Sequence, residues 1–376
     1  MPGKFALVTH PYNLAHLRRI LAYHRPGGRL PSDALLLRMF EWTPSFKLGE
    51  WRGVRSATGA TVDGYDVTCP IMPEMKSLGP RAIFKKIRDA CVLASELGAH
   101  VVGLGGFTSI YGEFGRESAG DDLDIGVTTG NSLTAVMAVR GIRRAAELLG
   151  VELSEATVAV VGATGDIGTA CCRALAPEVG CLDLTARARS KLVRLAAELE
   201  HTASGRVHVA DDNRHALCDA DFVICVASAS EPIIQPQDLR AGTVVCDVGY
   251  PKNVATRVAE RDDVFVFDGG LVGLPSPIDF GFDNGLPSPH VLYGCFAESI
   301  VLALESRFES FSQGRGHITP ERMDAIGAMA DTHGFGLAPF YSGGRRVPDD
   351  ELAAFADRLP RQAGSGASFQ PSARST

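Results

Sequence analysis

Three glycines spaced three residues apart, Gly162, Gly165 and Gly168, give the sequence its clearest capacity for binding a phosphate. An apolar, β-branched run (157–161) precedes them and a helical pattern begins at Thr169, which predicts a strand, a turn and a helix. Glycine leaves the backbone N–H groups accessible to a pyrophosphate, and the helix N-terminus supplies positive potential. The spacing alone is a weak signal, but in this context it predicts a dinucleotide site. Its candidate residues are Gly162, Ala163, Thr164, Gly165, Asp166, Ile167 and Gly168.

The next predicted strand indicates which dinucleotide binds. An NAD site places an acidic residue near the end of this strand, whereas here Thr185 stands there, followed by Arg187 and Arg189. Guanidinium groups suit the 2′-phosphate of NADPH, because their planar fork of donors matches phosphate oxygens. The alternative is that both arginines are solvated loop residues. Later strands end in further candidate cofactor contacts for the nicotinamide half: Ala227, Ser228, Gly249, Tyr250 and Lys252.

Cys295 could be a nucleophile. It lies where a loop meets a predicted helix, and a thiol at a helix N-terminus can have a low pKa. The alternative is a buried structural cysteine, since eight other cysteines serve mainly as small hydrophobic residues. Glu298, Glu305 and Glu309 are expected on the solvent face of the same helix, opposite Phe296, Ile300, Leu304 and Phe308.

Two polar clusters follow predicted strands of the N-terminal region, where ligand-binding loops are often found. The candidate substrate-binding residues are Gly106, Phe107, Thr108, Ser109, Thr129 and Asn131. Proton transfer could fall to Ser109, Asn131, Lys252 or His317, which the sequence does not separate.

The elements that position these residues predict an α/β fold with two domains, which the length of 376 residues allows. Residues 1–150 are expected to form an α/β substrate domain, in which Phe5–Val8 pairs with Tyr65–Cys69, ending in a connecting helix. A Rossmann-type nucleotide-binding domain would follow at 151–275. Residues 276–341 would carry Cys295 between the domains, with helices that complete the substrate domain. The Gly-, Ser-, Arg- and Pro-rich tail, 342–376, is expected to be disordered.

Composition excludes several classes of protein. The formal net charge of −7 argues against general nucleic-acid binding. No apolar run approaches the length of a membrane span, and the first residues lack a signal-peptide pattern. The nine cysteines are scattered, without paired or histidine-rich metal spacing, so we expect a reduced, cytoplasmic protein without a metal.

Several segments together resemble the acyl-(acyl-carrier-protein) reductases best known from cyanobacteria, which form fatty aldehydes with NADPH. The matching segments span roughly residues 5–339 and are Leu104–Ile110, Thr128–Asn131, Ala156–Gly168, Thr185–Arg187, Gly249–Asn253, Cys295–Glu298 and His333–Phe335. The resemblance implies that Cys295 is the acylated nucleophile, that the glycine-rich turn binds NADPH, and that the substrate is an acyl thioester of the carrier protein, with coenzyme A as a further possible carrier.

The resemblance also implies a partner. Carrier proteins are acidic, and the helix expected after Pro80 offers a basic face for docking: Arg81, Lys85, Lys86 and Arg88. A solvated charged face is the simpler explanation. Two other functions stay open, an alcohol oxidoreductase similar to shikimate dehydrogenase without a covalent step, and a non-catalytic NADPH-binding protein.

Overall fold

The computed structural model describes residues 3–75, 77–114, 117–229, 231–280, 284–313 and 318–358. It confirms the predicted α/β class, with two large sheets built mainly from parallel strands.

The first large sheet belongs to the N-terminal part of the chain. Its elements are β1 (Lys4–Thr9), α1 (Leu14–His24), α2 (Asp33–Trp42), β2 (Phe46–Arg55), β3 (Thr61–Thr68), α3 (Pro80–Glu96), β4 (Val101–Leu104), α4 (Phe107–Ile110), β5 (Glu113–Phe114), β6 (Glu117–Ser118), β7 (Gly126–Thr128) and α5 (Asn131–Leu149). The strand order is β2-β3-β1-β4-β7, with only β2 antiparallel to its neighbour. The predicted pairing of the first strand with the Tyr65 strand is present, whereas β2 and the helices α1 and α2 were not predicted.

The second large sheet carries the glycine-rich turn. Its elements are β8 (Thr157–Val161), α6 (Asp166–Leu175), β9 (Cys181–Thr185), α7 (Arg189–Leu199), β10 (Arg206–Val209), α8 (Asn213–Leu217), β11 (Phe222–Cys225), β12 (Val244–Asp247) and β13 (Phe265–Asp268). All six strands are parallel, in the order β10-β9-β8-β11-β12-β13. This is the order of a doubly wound dinucleotide-binding fold.

The remainder of the chain packs across both sheets. It contains β14 (Leu271–Gly273), β15 (Val291–Tyr293), α9 (Gly294–Leu304), α10 (Pro320–Thr332), β16 (Gly336–Leu337), β17 (Tyr341–Ser342), β18 (Arg345–Arg346) and α11 (Asp349–Arg358). Thr319 caps α10 by accepting a hydrogen bond from the Arg322 N–H, as Thr-Pro at a helix start predicts. Helix α9 packs on β4, since a Cβ on Gly103 would lie 2.8 Å from the Ser299 hydroxyl oxygen.

The expectation of a disordered tail is wrong for residues 342–358. There β17 pairs with β18, and α11 buries Leu352 and Phe355 in the same core as Phe267 and Phe340. These few apolar residues have polar and charged neighbours, so the composition of this segment did not indicate that they would be buried. The rest of the expected tail, 359–376, lies outside the described residues.

Candidate active site

One cavity of about 1640 Å³ runs between the two large sheets. Its walls come from loops at the carboxyl ends of β1 and β4, from loops after β8, β9, β11 and β12, and from the start of α9. Ligands of open α/β sheets gather at such strand ends. Sites for a single small molecule usually occupy roughly 300–1,000 Å³, so this cavity has room for two ligands together.

The glycine-rich turn forms one end of the cavity. Gly162 has a left-handed backbone (φ +91°), and a Cβ there would lie 2.9 Å from the Ala227 backbone nitrogen. A Cβ on Gly168 would lie 2.3 Å from the Gly162 carbonyl oxygen, which lets α6 start close to β8. Gly165 lines the cavity at the N-terminus of α6. These residues fit a dinucleotide pyrophosphate, because open backbone and the positive end of a helix meet at one place.

Some of the other predicted residues of this turn line the cavity, and the rest support the turn by packing. Thr164, Asp166 and Ile167 line the cavity, whereas Ala163 is fully buried. Gly168 contributes packing and does not line the cavity.

The end of β9 provides the basic side chains. Thr185 lines the cavity and its hydroxyl donates to Asn213 Oδ1 at 3.0 Å, while Arg187 lines the same end. Arg189 does not line the cavity; it forms an exposed ion pair with Asp211 at 3.1 Å. Two basic residues that sequence reasoning missed, Lys191 and Arg214, line this end instead. No local motif marks either of them.

The loop after β12 is organised by a buried carboxylate. Asp247 accepts hydrogen bonds from the backbone N–H groups of Gly249, Asn253 and Val254 at 3.0 Å each. Lys252 donates to the Asp247 carbonyl oxygen at 3.0 Å and forms an ion pair with Asp268 at 2.8 Å. The predicted contacts Ala227, Ser228, Gly249, Tyr250 and Lys252 all line the cavity.

Cys295 lies in the first turn of α9, half-buried, on the cavity wall. Gly130 packs directly against it: its backbone is left-handed (φ +66°), and a Cβ there would lie 2.2 Å from the Cys295 Cα. Only glycine allows the start of α5 to approach α9 this closely. The loop after β7 therefore packs against the backbone of Cys295.

The prediction that the Cys295 thiol has a low pKa is wrong. Burial raises the pKa of Cys295 to about 12, while hydrogen bonds from the backbone N–H groups of Gly106 and Phe296 lower it by less. The helix N-terminus contributes only the favourable N–H groups. Burial of the thiol disfavours the charged thiolate, and this effect is larger.

His10 holds the loop that brings the Gly106 N–H to the thiol. Its Nε2 accepts from the Phe107 N–H at 2.9 Å, and its Nδ1 lies 3.0 Å from the Pro11 carbonyl oxygen. Burial lowers the pKa of His10 to about 4, so the ring is neutral at pH 7 and Nδ1 carries the proton. Because both ring nitrogens are engaged, His10 acts as a positioning residue. No local motif marks His10 in the sequence.

The predicted substrate-binding residues are only partly brought together. Gly106, Ser109, Thr129 and Asn131 line the cavity, whereas Phe107 and Thr108 do not. The Thr108 hydroxyl is buried and donates to the Gly105 carbonyl oxygen at 2.9 Å. The Thr129 hydroxyl donates to the Ser312 carbonyl oxygen, which gives it a structural partner. His317, a candidate for proton transfer, lies outside the described residues.

Glu298 is the largest correction at the site. Predicted on the solvent face of its helix, it is fully buried one turn after Cys295. One carboxylate oxygen accepts from the Thr128 hydroxyl and the other from the Leu133 N–H at 3.0 Å. Glu298 thus links α9 to the first turn of α5. Burial raises its pKa.

The predicted end of the helix is also wrong. α9 ends at Leu304, and Phe308 lies beyond it, partly exposed.

The far end of the cavity is mainly apolar. Most lining side chains of α1, α2 and β2 are apolar, with His16, His24 and Thr43 beside them: Leu17, Ile20, Leu21, Leu36, Met39, Phe40, Phe46 and Leu48. Within the described ranges, no helix combines the length and hydropathy of a membrane span. The same residues hold no group of three potential metal ligands.

Comparisons with known proteins agree with this arrangement. A family model described as shikimate / quinate 5-dehydrogenase matches residues 143–269, which include the six-stranded sheet. The long-chain acyl-(acyl-carrier-protein) reductase of Synechococcus elongatus is 37% identical over 295 residues, covering 75% of this chain and 84% of the relative. The aminotransferase PigE of a Serratia species is 30% identical over 358 residues, covering 92% of this chain and 41% of PigE.

Among solved structures, L-tryptophan dehydrogenase from Nostoc punctiforme aligns over 95% of this chain and 87% of its own, at 12% identity and a TM-score of 0.38. This similarity is too low to support any functional argument. The Synechococcus relative, by contrast, is similar over three quarters of this chain and most of its own length. The chain belongs to the long-chain acyl-(acyl-carrier-protein) reductase family and is an oxidoreductase with a Rossmann-type domain, as its motifs predicted.

Proposed function

We propose that this protein reduces an acyl thioester of acyl-carrier protein to an aldehyde with NADPH, through an acyl group bound covalently to Cys295. The observation that carries the proposal is the position of Cys295: it lines the same cavity as the glycine-rich turn and a group of apolar side chains suited to an acyl chain. The name of the Synechococcus relative supports the carrier protein as partner. The cytoplasmic location belongs to the same proposal.

The acyl transfer balances without an external base. The Cys295 sulfur attacks the thioester carbonyl carbon and forms a new C–S bond, while the bond to the carrier's thiol breaks. The proton leaves Cys295 and ends on the departing thiol. Because burial keeps Cys295 protonated at neutral pH, this proton is lost as the C–S bond forms.

The chain's N–H groups can stabilise the oxygen of the tetrahedral intermediate. The N–H groups of Gly106, Phe296 and Cys295 itself each lower the pKa of the thiol, which makes them donors beside the attacking sulfur. His10 keeps the Gly106 loop in place through the Phe107 N–H.

The residues fitted to NADPH are the glycine-rich turn for its pyrophosphate and Arg187, with Lys191 and Arg214, for its 2′-phosphate. When bound, NADPH supplies the hydride that converts the acyl group to the aldehyde. As the C–S bond breaks and the aldehyde leaves, the Cys295 sulfur takes up one proton from solvent water, because its first proton left with the carrier's thiol. Burial of the acyl-thioester in the cavity limits its hydrolysis by water.

The test is the intact mass of the protein after mixing with acyl-carrier protein and no nucleotide. We expect an acyl adduct on the natural protein and none on Cys295→Ala or Cys295→Ser, since a hydroxyl without an adjacent base is a weak nucleophile. Both variants should still bind NADPH, and both should be inactive in forming aldehyde. Substantial turnover by Cys295→Ala would end the covalent mechanism.

The alcohol oxidoreductase is the second candidate, because the shikimate / quinate dehydrogenase model matches 143–269. That match covers the nucleotide-binding part alone, which many oxidoreductases share. An alcohol oxidoreductase or a non-catalytic NADPH-binding protein would form no acyl adduct in the mass measurement. The adduct therefore separates the proposed function from both.

A further inference from the structure

A buried polar group faces the otherwise apolar part of the cavity. Asp66, on β3, is fully buried and lines the cavity with Thr9 and Thr68. Its Oδ1 accepts from the Thr9 hydroxyl at 2.6 Å. Among the described residues, Asp66 Oδ2 and the Thr68 hydroxyl have no hydrogen-bond partner.

Leaving these two groups without partners is costly. A buried polar group that loses water and gains no partner typically costs about 1–3 kcal/mol, and a carboxylate costs more. Burial accordingly raises the pKa of Asp66 to about 7. An apolar pair in these places would remove the cost, so the polar groups are best explained by a ligand that pairs with them.

The sheet register fixes how far Asp66 lies from the thiol. Asp66 stands opposite Leu7 on β1, and Leu7 stands opposite Gly103 on β4. Gly103 lies beneath the start of α9, where a Cβ would be 3.3 Å from the Cys295 carbonyl oxygen. Two strand spacings, about 10 Å in total, therefore separate Asp66 from the strand under Cys295. In the proposed function, Asp66 would therefore face the acyl chain several carbons from the reacting carbonyl.

Asp66 and Thr68 are neighbours on one face of β3, because alternate residues of a strand point to the same side. Their hydrogen-bonding groups identify the ligand. A hydroxyl donates to a carboxylate and accepts from a protonated carboxyl, so it pairs with Asp66 in either state. A carbonyl oxygen only accepts, and a saturated chain leaves both groups unpaired.

We propose that Asp66 and Thr68 bind a hydroxyl group on the acyl chain, and that the substrate is a hydroxylated acyl thioester. This inference rests on the proposed function and specifies its substrate. Phe46 and Leu48 on the neighbouring strand β2 contact the apolar stretches of the chain.

The test uses coenzyme A thioesters of one chain length: a saturated chain, and chains with the hydroxyl at successive carbons. The natural protein should favour one hydroxyl position over the saturated chain by about ten- to a hundredfold in kcat/KM, because a buried hydrogen-bonding site rejects a ligand that leaves it unpaired. Asp66→Leu should reverse this preference. Thr68→Val, which removes only the hydroxyl, should weaken it.

Two controls keep the result interpretable. Asp66→Asn retains hydrogen bonding without a charge and should keep most of the preference, which covers the case in which Asp66→Leu fails to fold. Asp63→Asn changes a carboxylate on the opposite face of the same strand and should leave the preference unchanged.

Two outcomes overturn the proposal. Equal kcat/KM for saturated and hydroxylated chains, with acyl adducts forming on Cys295 from both, would refute the hydroxyl site and leave the proposed function intact. A preference that persists in Asp66→Leu and Thr68→Val would show that other residues cause it. Failure of acyl-carrier protein as well as every coenzyme A thioester to form an adduct on Cys295 would refute the proposed function itself.

Discussion

At the scale of single residues, the Cys295 thiol is governed by two opposing effects. Backbone N–H groups from Gly106 and Phe296 favour the thiolate, and burial disfavours it more strongly. The free enzyme therefore carries a protonated thiol near pH 7, unlike cysteines activated by a neighbouring cation.

This protonation state predicts a steep pH dependence of alkylation. With a pKa of about 12, the thiolate fraction of Cys295 should rise about tenfold for each pH unit between pH 7 and pH 9. Iodoacetamide labelling followed by peptide mass analysis measures this rate. Cys181→Ser and Cys218→Ser would remove the other two cysteines with solvent exposure. A rate that stays flat across this range would mean that Cys295 is already ionised at pH 7.

Cofactor choice also depends on single residues. Arg187→Ala should weaken NADPH binding by about tenfold or more and leave NADH nearly unchanged, because a charge-assisted hydrogen bond to the 2′-phosphate is lost. Arg189→Ala is the matched control: Arg189 does not line the cavity and pairs with Asp211, which does, so its removal should weaken NADPH binding less than the removal of Arg187. Fluorescence titration gives both constants. Equal weakening of NADPH and NADH by Arg187→Ala would assign Arg187 to loop support.

At the scale of elements, Glu298 connects α9, which carries the thiol, to α5. Its two oxygens satisfy the Thr128 hydroxyl and the Leu133 N–H, a donor in the first turn of α5. The position of Cys295 therefore depends on a carboxylate that does not line the cavity.

Removing an acceptor from this contact should destabilise the fold. Glu298→Gln replaces one acceptor oxygen by an N–H donor, so the free energy of unfolding should fall by about 1–3 kcal/mol. Glu309→Gln serves as control, because Glu309 lies at the surface beside Arg307 and such ion pairs contribute little. Chemical denaturation of both variants measures the difference. Equal free energies of unfolding for the two variants would show that the Glu298 contact does not stabilise the fold.

Elements whose determinants are local in the sequence could be predicted, and most contacts between distant segments could not. The strand, turn and helix at 157–175 could be predicted because all of their determinants are local: β-branched residues, glycines and a helical period. The helical period around Glu298 is equally local, but it cannot show that Thr128 and Leu133 will pack against the face that looks polar. His10 and Asp66 were missed because each gains its role from strands paired far along the chain.

At the scale of the whole molecule, the basic residues of α3 are already engaged within the protein. Lys85 pairs with Asp89 at 2.8 Å, Arg88 with Asp122 at 3.4 Å, and Lys86 donates to the Thr43 carbonyl oxygen at 3.3 Å. Arg81 lies over the Phe114 ring. These exposed pairs are weak and can exchange for an acidic partner, so the docking face stays a prediction.

Charge reversal tests that face. Arg81→Glu with Lys85→Glu should slow turnover of carrier-bound substrate and spare the same acyl group on coenzyme A, because surface charges act mainly on association with the acidic carrier. The difference should shrink as salt is added. Steady-state kinetics with both substrates at two ionic strengths provide the measurement. An equal response of the two substrates, or no response, would leave α3 as a solvated surface.

The cofactor-binding residues and the apolar side chains share one cavity, which bears on the order of substrate binding and product release. The glycine-rich turn and the apolar side chains open on the same space, and Cys295 lines it as well. If the acyl group stays covalently bound to the Cys295 sulfur while the carrier departs, the enzyme alternates between a free and an acylated form. Double-reciprocal plots of initial rate against NADPH concentration, measured at several concentrations of acyl-carrier protein, should then be parallel lines. This is the pattern of a ping-pong mechanism. Lines that intersect would require both substrates to occupy the cavity before either product leaves.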